Sequence, residues 1–136
     1  MRTASVSRFV RAQPEEIRRR LDPATLVEYE GTFTVRDVEE TEDGWVVTAR
    51  ATGIQVVLEF EATEDGLRYA QQGAAGPFES METTVRIRPE DEGSRVTMES
   101  AVSLGVPLPA ISDRVAAWKR RGEIRRALRR LAADLE

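Results

Sequence analysis

The chain has 136 residues, of which 40% are hydrophobic, and its formal net charge is −4. This length and composition predict one compact domain over residues 1–136 with a core of its own. Because the sequence contains no cysteine and no histidine, it excludes disulfides, thiolate nucleophiles, Ser-His-Asp triads and imidazole or thiolate metal ligands. We expect no metal and no cofactor.

The distribution of apolar and charged residues limits location and partners. No stretch approaches the roughly 20 apolar residues that span a membrane, and the first residues lack the apolar region of a signal peptide. We therefore expect a cytoplasmic, acidic protein without stable membrane insertion. Residues 110–136 carry eight basic and four acidic side chains, a balance of +4 that leaves −8 for the rest of the chain. The acidic excess argues against nucleic acid as the main partner.

The first elements in chain order are a strand and two short helices. Residues 3–10 are rich in the Val, Phe, Ser and Thr that favour strands. Pro14 suits the first position of a helix that continues to Leu21, with acidic residues at its positive start and arginines at its negative end. The same cap-and-proline signal recurs at Asp22 and predicts a second short helix.

From residue 31 to residue 104, apolar and polar residues alternate, which predicts antiparallel strands. Three acidic turns, each ending in glycine at Gly44, Gly66 and Gly93, separate several of them. Glycine after an acidic residue is a strong hairpin signal because it adopts the positive φ of a primed turn. The predicted strands are 32–40, 45–52, 54–63, 67–72, 78–88 and 95–104.

The hairpins also predict a register and therefore the inner face of the sheet. A slip of one residue would turn the apolar residues toward water, so the register is well specified. A change of parity between Val35 and Val38 predicts a bulge near Arg36. The predicted partners, hairpin by hairpin, are Trp45 with Phe60, Tyr69 with Ala62, and Thr83 with Ser100.

Residues 110–136 are rich in Ala, Leu, Arg and Glu and predict one long helix. Its apolar residues form two stripes about a third of a turn apart. We predict that Gly122, where the stripes meet, marks a kink or a close approach of the sheet or a ligand. The arginines either form a solvated face that pairs with the acidic sheet, which we favour, or attract an anionic membrane or nucleic acid. The stripes are Ala117, Ile124, Leu128, Leu131 and Leu135, and Ile111, Val115, Trp118 and Gly122.

This order of elements resembles the START-like, or SRPBCC, superfamily over the whole chain. Residues 11–17 (Arg-Ala-Gln-Pro-Glu-Glu-Ile) resemble its entry into the first helix, residues 93–97 (Gly-Ser-Arg-Val-Thr) its last hairpin, and residues 128–132 its terminal helix. Arg18 departs from the pattern, since many members have Trp there. The resemblance implies an α+β helix-grip fold, in which a curved antiparallel sheet of about seven strands wraps around the long C-terminal helix.

The resemblance further implies a cavity between the sheet and the long helix, with a small hydrophobic ligand as partner. Polar residues on the inner face either orient one end of such a ligand or bond to one another across strands. The candidate cavity residues are Phe33, Trp45, Val56, Leu58, Phe60, Tyr69, Gln71, Phe78, Met81, Thr83, Met98, Ser100, Trp118 and Gly122.

Three functions stay open from the sequence. The leading hypothesis is binding or carriage of a hydrophobic ligand such as a lipid, polyketide or quinone, without catalysis. The second is a polyketide cyclase/dehydratase-like enzyme that uses Tyr69 with a buried carboxylate, although no catalytic residue is assigned. We expect one or both of Glu79 and Glu82 to face solvent, paired with an arginine. Residues 28–30 form either a cluster at the cavity mouth or, as we favour, part of the surface. The third is an interaction module, a homodimer or adaptor that exposes Trp118 and Ile111.

Overall fold

Seven antiparallel strands and three helices make up the parts of the chain that this computed structural model describes, residues 2–73, 79–103 and 109–136. The α+β helix-grip architecture predicted from the sequence is confirmed. In chain order the elements are β1 (Arg2–Val10), α1 (Pro14–Arg20), α2 (Pro23–Glu30), β2 (Thr34–Glu40), β3 (Trp45–Ala51), β4 (Ile54–Thr63), β5 (Gly66–Gln71), β6 (Ser80–Glu90), β7 (Gly93–Ser103) and α3 (Pro109–Leu135).

The strands form one sheet in the order β1-β7-β6-β5-β4-β3-β2. Strands β2 to β7 follow one another as a meander, and β1 closes the order by pairing with β7. Helix α3 packs against β1, β7 and α2, while α1 contacts β6 and α2 contacts β2. The three helices therefore lie on the same side of the sheet, where its apolar face is buried. Among the described residues, no helix is long and apolar enough to cross a bilayer.

Most of the predicted register is confirmed. Trp45 lies opposite Phe60, and Thr83 lies opposite Ser100. The expected bulge in β2 is also present, because the pairing of this strand with β3 shifts just after Val35. The alternation of buried and exposed residues along β6 and β7 follows from this pairing.

The predicted register of β4 with β5 is wrong by two residues. Tyr69 lies opposite Phe60 and not opposite Ala62, because Gly66 is the first paired residue of β5 and not part of the turn. Since side chains alternate with a period of two, an even shift leaves Tyr69 on the inner face. The error therefore changes the neighbours of Tyr69 but not its burial.

The glycines of the acidic turns have a different role from the predicted one. None of the three has a positive φ, and in the last hairpin the positive φ angles belong to Asp91 (45°) and Glu92 (64°). A Cβ atom on Gly44 would lie 1.9 Å from the carbonyl oxygen of Phe60. At Gly44, glycine is therefore required by the close approach of the neighbouring strand, not by turn conformation.

Helix α2 extends further than the sequence predicts, and its end positions a buried carboxylate. The helix begins where Asp22 accepts a hydrogen bond from the backbone N–H of Thr25 (2.8 Å). It ends at Gly31, which has the left-handed φ of 85° typical of a helix C-terminus. The last helical residue is Glu30, whose backbone carbonyl accepts a hydrogen bond from Arg126 of α3 (2.7 Å). This contact holds the end of α2 against α3.

Helix α3 buries one stripe and not two. In the second predicted stripe, Val115 and Trp118 lie on the outside, since they are 58% and 77% exposed, whereas the side chain of Ile111 is outside the part of the chain that the structure describes. The expected close approach at Gly122 is also wrong, because no described atom lies within 4 Å of the place that a Cβ would take there. The described buried positions of the helix include neighbouring pairs that recur at helical spacing, and they are Asp113, Ala116, Arg120, Glu123, Ile124, Ala127, Leu128, Leu131 and Ala132.

Candidate functional site

A buried arginine on α3 organises the polar part of the interior. The side chain of Arg120 is 2% exposed, and each of its five N–H donors can be assigned to a side-chain partner. We call Arg120 and its five side-chain partners the Arg120 cluster. The partners are Ser100 on Nε (2.9 Å), Glu30 (2.7 Å) and Glu123 (3.3 Å) on Nη1, and Thr83 (2.9 Å) and the Tyr69 hydroxyl on Nη2.

The charge of Arg120 is stabilised by its neighbours. Burial by itself lowers the pKa of a guanidinium, but the nearby Glu30 and Tyr69 outweigh this effect and hold the pKa of Arg120 well above its usual value. The side chain is therefore charged at every pH at which the fold persists. A buried charge of this kind needs all of its hydrogen bonds, because water cannot replace a missing partner.

Tyr69 connects the arginine to a carboxylate. Its hydroxyl donates a hydrogen bond to Glu30 and accepts one from Arg120. Burial raises the pKa of Tyr69 well above its usual value of 10.0. The phenol is thus protonated at neutral pH and acts there as a hydrogen-bond donor. Its ring stacks on Phe60 with 4.4 Å between the centroids.

The cluster follows a single row of strand residues. Phe60 of β4 lies opposite Tyr69 of β5, Tyr69 lies opposite Thr83 of β6, and Thr83 lies opposite Ser100 of β7. Arg120 reaches down from α3 onto three of these four side chains. We call Phe60, Tyr69, Thr83, Ser100 and Arg120 the dividing row. It separates a larger apolar pocket on one side from a small cavity with a polar wall on the other.

On one side of the dividing row is an apolar pocket of about 260 Å³, which we call the α1–α2 pocket. It lies between the junction of α1 with α2 and the inner face of strands β3 to β6. Its walls are mostly aliphatic, with Trp45 as the aromatic member and Arg18 and Asp22 as the charged members. The lining residues are Arg18, Leu21, Asp22, Pro23, Trp45, Ala62, Thr63, Gly66, Leu67, Val85 and Ile87.

On the other side is a cavity of only about 20 Å³. A space of this size admits about one water molecule. Its polar wall is the carboxylate side of the Arg120 cluster, where Glu123 also accepts a hydrogen bond from Thr32. The lining residues are Val27, Glu30, Thr32, Phe33, Val56, Leu58, Gln71, Met81, Arg120 and Glu123.

The residues predicted to line a cavity are distributed over these places. Tyr69, Thr83 and Ser100 belong to the Arg120 cluster, and Phe60 stacks on it. Trp45 lines the α1–α2 pocket. Met98 is fully buried in the core. The small cavity is lined by Phe33, Val56, Leu58, Gln71 and Met81.

Two predicted cavity residues are elsewhere, and the structure does not describe a third. Trp118 and Gly122 lie on the exposed side of α3, so they do not border the interior. Their positions follow from a helix that buries only the stripe containing Ile124 and Leu128. Phe78 falls outside the residues that the structure describes.

The charged members of the cluster are not among the residues predicted from the sequence. Arg120 was assigned to the solvated face of α3, yet it lies four residues before Ile124, on the apolar stripe, and this spacing was a usable signal. For Glu30, the surface was favoured over a cluster at the cavity mouth, yet its side chain is buried. The assignment of Glu82 to the surface is confirmed, since it is exposed and pairs with Arg68 (2.6 Å). Among the side chains that the structure describes, no group of His, Cys, Asp and Glu is arranged to hold a metal ion.

Comparison with known proteins gives the family. Residues 1–136 match the family model described as polyketide cyclase / dehydrase and lipid transport. The chain belongs to this family. The START-like resemblance deduced from the sequence is thereby confirmed, and membership supports a ligand-binding role in general. No curated protein matches the sequence significantly.

Several solved structures share the fold at low sequence identity. A START superfamily protein from Mycobacterium smegmatis is 14% identical, with a TM-score of 0.75 over 98% of this chain and 99% of that one. XoxI from Bacillus cereus is 17% identical, with a TM-score of 0.76 over 99% and 96%. TTHA0849 from Thermus thermophilus is 21% identical, with a TM-score of 0.67 over 99% and 100%. At these identities the likeness concerns the fold alone.

Proposed function

We propose that this member of the family binds a compact hydrophobic ligand in the α1–α2 pocket, without catalysing its conversion. The observation that carries the proposal is the pocket itself, an apolar recess of about 260 Å³ on the inner face of the sheet. Leu21, Leu67, Val85 and Ile87 give it the mostly aliphatic walls that small-molecule sites usually have.

The size of the pocket favours a small ligand. Ligand sites commonly have volumes of about 300–1,000 Å³, and the α1–α2 pocket lies just below this range. A longer molecule would have to pass the dividing row, where Tyr69 is 1% exposed and Thr83 and Ser100 are fully buried. We therefore infer a ligand with one or two rings or a short acyl chain, and not a long-chain lipid.

Arg18 suggests a polar group on that ligand. It lines the pocket at the position where many START-like proteins have Trp, and one of its N–H groups donates to the backbone carbonyl of Glu64 (3.3 Å). A guanidinium has five donors in a planar arrangement, so further donors are left for a carboxylate or carbonyl of the ligand. The proposed ligand class is thus a compact apolar molecule with a hydrogen-bond acceptor at one end.

A chain-length series tests the proposal. We expect short-chain and medium-chain fatty acids and single-ring aromatic acids to raise the melting temperature in a concentration-dependent manner, since a ligand that binds only the folded state stabilises it. Isothermal titration should show the affinity falling once the chain exceeds the pocket. The proposal is wrong if no compound of the series binds, or if long chains bind as tightly as short ones.

A pocket-filling variant identifies the site. Ala62 lines the pocket but is itself exposed, so Ala62→Trp should fill the recess with little disturbance of the core. We expect it to weaken binding at least tenfold. Ala133→Trp adds the same side chain at an exposed position of α3 that does not line the pocket, and this variant should bind as the wild type does. Equal binding by both variants would place the ligand elsewhere.

The residues that the enzyme hypothesis requires lie together, but there is no space for a substrate beside them. Tyr69 and the buried Glu30 are hydrogen-bonded, as a proton-transfer pair would need. Yet the cavity beside Glu30 has room for about one water molecule, and Tyr69 does not line the α1–α2 pocket. Binding without catalysis is therefore the function that the geometry supports best. The single domain, the cytoplasmic location and the monomeric or dimeric state stay predictions.

A further inference from the structure

The outer side of α3 carries a concentration of unpaired positive charge. We define the basic face as Arg114, Lys119, Arg121, Arg125 and Arg129, together with the apolar Val115 and Trp118. All five cations are exposed, and within the described part of the chain none of them forms an ion pair. At 100° per residue these positions cover an arc of roughly 160°. The sequence-based expectation that this face pairs with the acidic sheet is therefore wrong.

The acidic residues of α3 do not lie on the basic face. Asp113 and Glu123, the two acidic residues of α3 that lie between residues 113 and 133, are 2% and 5% exposed. Asp134, near the end of the helix, receives a hydrogen bond from Tyr29 (2.5 Å). By contrast, three arginines of the sheet form ion pairs, namely Arg68, Arg88 and Arg95. The basic face is thus a local cationic surface on a chain whose net charge is −4.

The centre of the basic face is apolar. Trp118 is 77% exposed and Val115 is 58% exposed, the two highest values among the large hydrophobic residues whose side chains the structure describes. At helical spacing both lie inside the arc of the cations. An exposed tryptophan surrounded by arginine and lysine is typical of helices that lie in the interface of a membrane, where the indole sits at headgroup level.

We propose that the basic face docks on an anionic phospholipid surface, with α3 lying parallel to the membrane. A helix of 27 residues is about 40 Å long, which allows the five cations to reach headgroups together. Each contributes about 1 kcal/mol near an anionic leaflet. A nucleic acid would use the same charges but would leave Val115 without an apolar environment. The proposal does not depend on the ligand of the α1–α2 pocket.

Vesicle binding is the direct test. Sedimentation with phosphatidylcholine vesicles is compared with sedimentation with vesicles that contain 30% phosphatidylglycerol, at low and at high salt. We expect at least tenfold stronger binding to the anionic vesicles and a loss of most of that binding in high salt, where exposed charges are screened. Equal binding to both vesicle types, or binding to neither, overturns the proposal.

Charge reversal locates the surface. The variant Arg121→Glu/Arg125→Glu/Arg129→Glu should lose at least tenfold in affinity for anionic vesicles. The control Arg8→Glu/Arg36→Glu/Arg50→Glu changes the net charge by the same amount at exposed positions of the sheet. We expect it to bind within about threefold of the wild type. If the control loses as much as the first variant, net charge and not the basic face governs binding, and the proposal fails.

Trp118 provides a signal that charge alone does not produce. Its emission should shift to the blue with anionic vesicles, and the shift should disappear in Trp118→Ser, although the fold and the pocket are untouched. An unshifted Trp118 together with tighter binding to an oligonucleotide than to vesicles would assign the face to nucleic acid. Concentration-dependent dimers that the triple reversal abolishes would assign it to a second copy of the chain. Either result overturns the proposal.

Discussion

Arginine residues on the inner and outer faces of α3 have opposite environments. Arg120 is 2% exposed and bonds to five side chains, whereas its neighbour Arg121 is exposed and has no ion-pair partner in the described structure. The difference lies in what faces each position. Arg120 faces two carboxylates and three hydroxyl groups that the sheet, α2 and α3 bring together, and Arg121 faces solvent. A charge is thus tolerated inside only where several elements supply its partners.

The largest effect on stability is expected from removing the side chain of Arg120. Arg120→Ala leaves two buried carboxylates without their cation, so we expect a loss of about 3–5 kcal/mol in the free energy of unfolding. Arg121→Ala, on the exposed face, should change it by no more than about 0.5 kcal/mol. Urea unfolding followed by circular dichroism gives both values. A loss below about 1 kcal/mol for Arg120→Ala would contradict the structure of the cluster.

Neutralising the carboxylates tests whether their charges are coupled to that of Arg120. In Arg120→Met/Glu30→Gln/Glu123→Gln the unpaired negative charges are gone, so the triple variant should be more stable than Arg120→Met alone by at least about 1 kcal/mol. The same two Gln substitutions with Arg120 present should destabilise the protein. If all the substitutions simply add, Arg120 and the carboxylates are not coupled.

The two tyrosine–carboxylate pairs give a smaller contrast. Tyr69→Phe removes a buried hydroxyl that bonds Glu30 and Arg120, and we expect a loss of about 1–3 kcal/mol. Tyr29→Phe removes the hydrogen bond to Asp134 near the surface and should cost far less. The comparison uses the same urea experiment. Equal losses would mean that burial of the cluster adds nothing to the strength of the hydrogen bond.

The substitution Gly122→Ala tests whether the outer face of α3 has space for an added side-chain atom. No described atom would contact a Cβ at this position, and alanine has a helix propensity about 1 kcal/mol better than glycine. Gly122→Ala should therefore raise the free energy of unfolding by roughly 0.5–1 kcal/mol, which calorimetry can measure. A destabilised variant would show that the backbone at residue 122 is not ordinary helix.

The smallest effect concerns alkaline pH. Burial, together with the hydrogen bond to Asp134, raises the pKa of Tyr29 from 10.0 to about 12. The folded state thus holds this proton more tightly than the unfolded state, so the contribution is complete below pH 10 and is lost as the pH rises from 10 to 12. Melting temperatures between pH 9 and 12 should fall less in Tyr29→Phe than in the wild type. Parallel curves for the two proteins would exclude a shift at Tyr29.

The two registers show what local patterns can and cannot predict. Alternation along β6 and β7 predicts correctly that Thr83 faces Ser100, because only one parity buries Val85 and Ile87. The turn before Tyr69 was misjudged by two residues, since Gly66 was required by close strand packing and not by a positive φ. Parity is thus predictable from the sequence, whereas the exact partner of a strand residue depends on how the turn closes.

The candidate site shows the same limit at the level of chemistry. The sequence identified Tyr69, Thr83 and Ser100 as polar residues on an apolar face, and they do lie together. It missed Glu30 and Arg120, because a charged residue on an amphipathic helix is usually solvated. Helical spacing places Arg120 on the buried stripe, but nothing in the spacing tells whether partners will be there.

From the sequence alone we could predict the family, the order of elements, the inner face of the sheet and the absence of thiol and imidazole chemistry. These properties depend on local periodicity and on residue types, which need no knowledge of distant contacts. Three properties became visible in the structure. Arg120 is buried, and the dividing row separates a pocket of about 260 Å³ from a cavity of about 20 Å³. The outer side of α3 is left cationic. Each of these depends on side chains from α2, α3 and four strands meeting in space, and such meetings are set by packing across long stretches of chain.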